Sequence, residues 1–193
     1  MSNTFSKDLL EIKKVIKKNY PNSDLSVLEE AFYFSKITHK NQKRKSGEPY
    51  FIHPLNIAKR MAKDGLGEII ISAALLHDII EELGMEYAEQ ISNLDEDGPE
   101  VLKLVLEVSR NKNIETKEEY LDRLKNATYR AKILKCADRI SNLTDLHSFI
   151  YTPSKILSYL VQTEIYIMPL ANEVDENFVK ELTDLIYERK KQC

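Results

Sequence analysis

The run IIISAALLHDIIEE, residues 69–82, decides how this chain is read. Its first half is apolar on nearly every side of a helix, the pattern of a buried central element. It then ends in His77, Asp78, Glu81 and Glu82. It is far too short and too charged for the ~20 apolar residues of a membrane span. Working outward, the same 3.6-residue period recurs almost everywhere. Leu9, Ile12 and Ile16 form one stripe, and Leu28, Ala31, Phe32 and Ser35 form a second in a helix from about Asp24 to Thr38, with Ser23 as its candidate cap. Pro54 sits in the first turn of a third helix that closes before Gly65 and Gly67, and the central helix is expected over residues 68–83.

Beyond a polar connection with a short helix near residues 87–91, Pro99 opens a helix carrying Val101, Leu102, Val105 and Val108. Thr116 and Glu119 have capping-box spacing ahead of Tyr120, Leu121 and Leu124, and Asn126 ends that element. A long helix is expected from about Tyr129 to Ser148, then two more punctuated by Pro153 and residues 175–177. Strands alternating with helices are absent. The expectation is an all-α bundle of about nine or ten helices, forming one domain over residues 1–193.

Composition excludes several classes. With 42 % hydrophobic and 31 % charged residues the 193-residue chain can bury a core, and 5 Gly and 6 Pro are too few for a turn-dense β-sandwich, a collagen repeat or a disordered chain. Lys plus Arg number 28 against 31 Asp plus Glu, a net charge of −3, which disfavours a role on long nucleic acid. Cys136 lies in an apolar stretch and Cys193 is the last residue, so neither a thiolate metal site nor a disulfide framework is indicated. The start, MSNTFSKDLLEIKKVIKK, is too often interrupted by charge for a signal peptide, and the expected location is cytoplasmic, away from membranes.

Three segments carry chemistry. At the end of residues 69–82, a carboxylate beside an imidazole in apolar surroundings is costly unless compensated, and a metal ion compensates well; a helix end whose carboxylates face water has the same residues. In KILKCADRISNLTDL, residues 132–146, Asp138 adjoins an apolar stripe of Ile133, Leu134, Ala137, Ile140, Leu143 and Leu146, with Asn142 one turn on. A surface Asp paired with Lys135 or Arg139 is the plainer alternative. In HKNQKRKSGEPYFIHPL, residues 39–55, Lys40, Lys43, Arg44 and Lys45 precede Ser46, Gly47 and His53. Such a run is a solvated loop or a phosphate-neutralising one. Two His and two Asp form a mixed donor set that suits Mn²⁺ or Fe²⁺ and accepts Zn²⁺.

Taken together, RKSGEPYFIHPL (44–55), LLHDIIEE (75–82) and KCADRISNL (135–143) resemble the hydrolase domain of RelA/SpoT proteins and the single-domain small alarmone hydrolases, members of the HD superfamily of metal-dependent phosphohydrolases. The resemblance runs from about residue 31 to 171, and nothing after it looks like the synthetase or regulatory domains of the long members. By position it implies His53, His77, Asp78 and Asp138 as metal ligands, usually of Mn²⁺ though other divalent transition metals are admitted. It implies Glu81 and Glu82 as the catalytic pair, and Arg44, Lys45, Ser46 and Asn142 as nucleotide-pocket residues. The implied substrate is a small guanosine polyphosphate, and the implied reaction removes the 3′-diphosphate of (p)ppGpp as pyrophosphate, leaving GDP or GTP. Two positions depart from the pattern: Glu82 stands where the family has Asp, and Asp145 where it often has a small hydroxyl residue. His39 and His147 are read as structural. The alternatives are an HD phosphohydrolase for NADPH or a deoxynucleotide, and a non-catalytic nucleotide sensor.

Overall fold

The structure is a computed structural model that describes residues 4–147 and 150–193. Among the described residues it is all-α with no sheet, and the one β-bridge pairs Lys43 with Pro49. Two compact units make up the chain, Met1–Ser109 and Arg110–Cys193.

The first unit contains α1 (Thr4–Asn19), α2 (Ser26–Thr38), α3 (Ile52–Lys63), α4 (Glu68–Leu76), α5 (Ile79–Leu83), α6 (Ala88–Ser92) and α7 (Gly98–Val108). As its uninterrupted apolar run dictates, α4 lies at the centre, packed by α2, α3 and α7, with Ile70 through Leu76 all buried. The stripes read from the sequence face inward: Leu9, Ile12 and Ile16 on α1, and Leu28, Ala31, Phe32 and Ser35 on α2, are buried. Phe51 meets Phe5 and Phe32 edge-on, at 5.3 and 5.2 Å between ring centres, the geometry that aromatic quadrupoles favour.

Two expectations are corrected in this unit. The helix over residues 68–83 is broken at His77–Asp78 into α4 and α5. Hydroxyls from outside the helix serve the carbonyls at the break: Ser35 Oγ of α2 donates to Leu75 O at 2.5 Å, and Ser109 Oγ, just past α7, shares its proton between Val105 O at 2.7 Å and His77 O at 3.1 Å. Buried carbonyls must find a donor, and these two serines supply one from outside the helix. The second correction concerns the start of α2. Asp24 Oδ1 accepts from Ser26 N at 2.9 Å, whereas Ser23, the expected cap, donates its hydroxyl to Glu68.

The second unit contains α8 (Lys117–Arg123), α9 (Tyr129–Thr144), α10 (Pro153–Gln162), α11 (Met168–Val174) and α12 (Glu176–Lys190). The Thr116–Glu119 capping box forms in full. Packed by α11 and α12, α9 is the core helix, and it ends at Thr144; the expected end at Ser148 lies outside the described residues. Arg189 of α12 closes it, donating to Leu143 O and Thr144 O at 2.7 Å each, which satisfies terminal carbonyls that have no partner within the helix. Between α10 and α11 the backbone widens into a π-turn over Thr163–Ile167. Pro169 explains it: proline has no N–H, and its ring collides with the carbonyl four residues back, so the helix must open there. Among the described residues there are twelve α-helices; taking the two halves of the broken α4–α5 pair together, and α10 with α11 across the π-turn, gives ten elements, the number expected from the pattern of the sequence. No described helix is long and apolar enough to cross a membrane.

Candidate functional site

The break between α4 and α5 is where the first unit concentrates its chemistry. His77 closes α4, Asp78 opens α5, and His53 projects from the first turn of α3. Both imidazoles are buried, at 2 % and 4 % exposure. Asp78 lies between them, Oδ1 at 3.2 Å from His77 Nε2 and Oδ2 at 3.7 Å from His53 Nε2. Opposite, His77 Nδ1 is 2.9 Å from Ala74 O. A carbonyl only accepts, so Nδ1 carries the proton, and in the neutral ring Nε2 keeps a lone pair directed at the carboxylate. Two nitrogen donors and a carboxylate oxygen, with the imidazole fixed from behind by a backbone carbonyl, fit a divalent transition ion. No thiolate is present, so the set does not fit a structural zinc site.

Further residues surround this centre. Glu81 is half-buried on α5, and Glu82 is exposed one position on, with its backbone N–H on Asp78 O at 2.9 Å. The basic segment folds as a pinned turn: Arg44 N donates to Glu48 O at 2.9 Å, and Tyr50 N to Gln42 O at 3.0 Å. Gly47 takes φ +91° at its tip, a conformation that other residues resist. Arg44 is half-buried with its guanidinium 5.8 Å from the Tyr50 ring centre, while Lys45 and Ser46 are exposed, Ser46 Oγ meeting Glu48 at 3.3 Å.

The second unit holds Asp138 and Asn142 on α9. Asp138 is buried and doubly held: Lys135 Nζ donates to Oδ2 at 2.9 Å and Asn142 Nδ2 to Oδ1 at 2.6 Å. The expected pairing with Lys135 is therefore present, but it is interior rather than at the surface. Burial works most strongly against the Lys135 ammonium, yet the Asp138 charge together with the charge of and hydrogen bond to Tyr120 outweighs it and holds the group well above the ordinary lysine range. Asp145 is exposed past the end of α9, and His147 is half-exposed.

Sequence reasoning missed one cluster in this unit. Arg139 is buried, with its guanidinium carbon 4.1 Å from the Tyr159 ring centre, one nitrogen on Thr163 Oγ1 at 3.1 Å, and no hydrogen-bond partner for Nε among the described residues. Lys117 lies over the same ring at 5.5 Å. Burial, then the charges of Arg139, Lys155, Lys135 and Arg110, lower Lys117 from its ordinary 10.5 to about 8. These residues are scattered through the sequence and carry no local motif. Because the folded value is depressed, the charged Lys117 costs stability at pH 7, and the cost is relieved as pH rises from 8 towards 10.5. Lys117→Gln should raise the thermal midpoint at pH 7, with an advantage that shrinks over that window in a pH series of melting curves.

A family model described as "HD domain" matches residues 31–175. The chain belongs to the HD-domain family. Among its curated relatives in that family, the guanosine-3′,5′-bis(diphosphate) 3′-pyrophosphohydrolase of Xenopus tropicalis is 33 % identical over 132 residues, covering 65 % of this chain and 72 % of that protein. The enzyme of the same name from Aquifex aeolicus is 32 % identical over 182 residues, and the probable one from Mycoplasma genitalium is 31 % identical over 159. These matches cover 80 % and 74 % of this chain but only 26 % and 22 % of those proteins, so the chain spans about a quarter of the longer relatives. A solved HD-domain structure, described as a metazoan orthologue of SpoT that hydrolyses ppGpp, superposes with a TM-score of 0.74 at 25 % identity, over 86 % of this chain and 97 % of its own. The resemblance read from the three motifs to RelA/SpoT hydrolase domains and their single-domain relatives is borne out.

Proposed function

We propose that this HD-domain protein is a metal-dependent (p)ppGpp 3′-pyrophosphohydrolase. The observation that carries this reading is the helix break, where two buried imidazoles turn Nε2 onto one carboxylate beside a rigid basic turn. The relatives named for this activity support it, one of them matched over 72 % of its length. His53, His77 and Asp78 would hold the ion, with Asp138 as the fourth ligand. Mn²⁺ is the proposed metal, because nitrogen and carboxylate donors without thiolate suit it. When bound, the ion would lower the pKa of a water and polarise a phosphoryl oxygen.

The remaining chemistry falls to the chain. Glu81, one turn beyond Asp78, would accept the proton of the attacking water, and Glu82 would assist from the adjacent position. Water adds to phosphorus, the bond to the 3′ oxygen breaks, and that oxygen takes a proton, giving pyrophosphate and GDP or GTP. Arg44 would stack on the base, Lys45 and Ser46 would meet phosphate, and Asn142 would support the nucleotide while holding Asp138. The proposed location is the cytoplasm.

Incubating the pure protein with Mn²⁺ and a panel of (p)ppGpp, NADPH and deoxynucleotides, with products separated by anion exchange, tests the reading. Pyrophosphate released from (p)ppGpp alone supports it, and exclusive turnover of another nucleotide overturns it. Arg44→Ala should raise KM for ppGpp about tenfold and leave kcat nearly unchanged, because its contacts exist in ground and transition states alike. Steady-state kinetics at saturating Mn²⁺ check this.

A further inference from the structure

We propose that Tyr50 is a positioning residue for the metal centre, orienting the Asp78 carboxylate through its phenol. The Tyr50 hydroxyl donates to Asp78 Oδ2 at 2.7 Å, closer to that carboxylate than either imidazole nitrogen. A carboxylate turns easily about its terminal torsion, and a fixed donor on one oxygen removes that freedom before an ion arrives.

The ring itself is immobilised. It stacks on His39 with 4.8 Å between centres and a 24° tilt, and it meets the His53 ring edge-on at 6.4 Å. His39 is buried at 1 % exposure, and its Nδ1 lies 2.5 Å from Gln42 Oε1. Gln42 also accepts the Tyr50 backbone N–H through its carbonyl, so one residue anchors both the stacking partner and the tyrosine main chain. Arg44 lies over the same ring, which ties the basic turn and the carboxylate to one rigid aromatic.

This inference rests on the metal reading above, and its test separates the two. Tyr50→Phe keeps the ring, its stack on His39 and its contact with Arg44, and removes only the hydroxyl. Mn²⁺ titration followed by the paramagnetic resonance of the free ion should show affinity lowered about 10- to 100-fold, the usual cost of losing an outer hydrogen bond to a ligand. The melting midpoint of the metal-free protein should change little. Hydrolysis by the variant should fall at limiting Mn²⁺ and recover at excess, with KM for ppGpp unchanged. An unchanged Mn²⁺ dissociation constant, or an affinity loss that merely tracks unfolding, overturns the role of Tyr50. A parent protein that fails to bind Mn²⁺ overturns the metal reading itself.

Discussion

Glu81→Gln is expected to fold as the parent does and to hydrolyse (p)ppGpp about 100- to 10,000-fold more slowly, the range associated with losing a positioned general base. Glu81 is half-buried on the short α5, three residues beyond Asp78, so its carboxylate is held by a helix that starts at the ligand itself. The amide is nearly isosteric and cannot take a proton. Metal affinity should change little, which separates this variant from a ligand loss. Glu82 is exposed, and its side chain has room to adjust. Glu82→Asp should therefore retain or raise the rate, although Glu stands there in place of the family's Asp. Single-turnover measurements on the parent and both variants check the pattern; robust parent hydrolysis that survives Glu81→Gln defeats the base assignment.

The second large effect is expected at Asp138. Asp138→Asn should abolish turnover at any practical Mn²⁺ concentration, because the substitution removes an anionic donor from the proposed ligand set. It should also lower stability by about 3 kcal/mol, since Lys135 is buried against that carboxylate and loses its counter-charge. Lys135→Met in the same chain removes the orphaned ammonium and should restore much of the melting temperature without restoring hydrolysis. Calorimetry beside the activity assay reads both. A folded Asp138→Asn protein that works at the parent rate in Mn²⁺ shows that Asp138 is no ligand.

Much of this architecture was legible because burial follows the helical period. Leu9, Ile12 and Ile16, or Ile133, Leu134, Ala137, Ile140 and Leu143, could be placed inward from spacing alone, and each is buried. The break at residues 77–78 was not legible. The apolar run continues through it, and the groups that serve its carbonyls, Ser35 and Ser109, come from distant positions. The interior of α9 was read only in part. Lys132, Lys135 and Arg139 have the look of surface residues, yet all three are buried because Glu173, Asp138 and Thr163 partner them. Of the first unit's ligand candidates, His77 and Asp78 stood out as polar residues ending an apolar run, and His53 as an imidazole beside Pro54 at the end of the basic segment. Tyr50 did not, because a tyrosine inside a motif shows its value only through what its hydroxyl touches.

The widened turn at Thr163–Ile167 governs how this chain can change in length. Each helical residue advances the chain by 1.5 Å and about 100°. One residue added to or deleted from this region would swing everything after it by that angle. Leu170 and Ala171, now in the core, would rotate off their packing, and Glu173 would leave Lys132, the cation it meets from α11. Single-residue gaps are therefore expected at the turn itself when relatives are aligned, where a loosened coil can take up or give back one residue. Elsewhere along α10 and α11, length should be inherited intact.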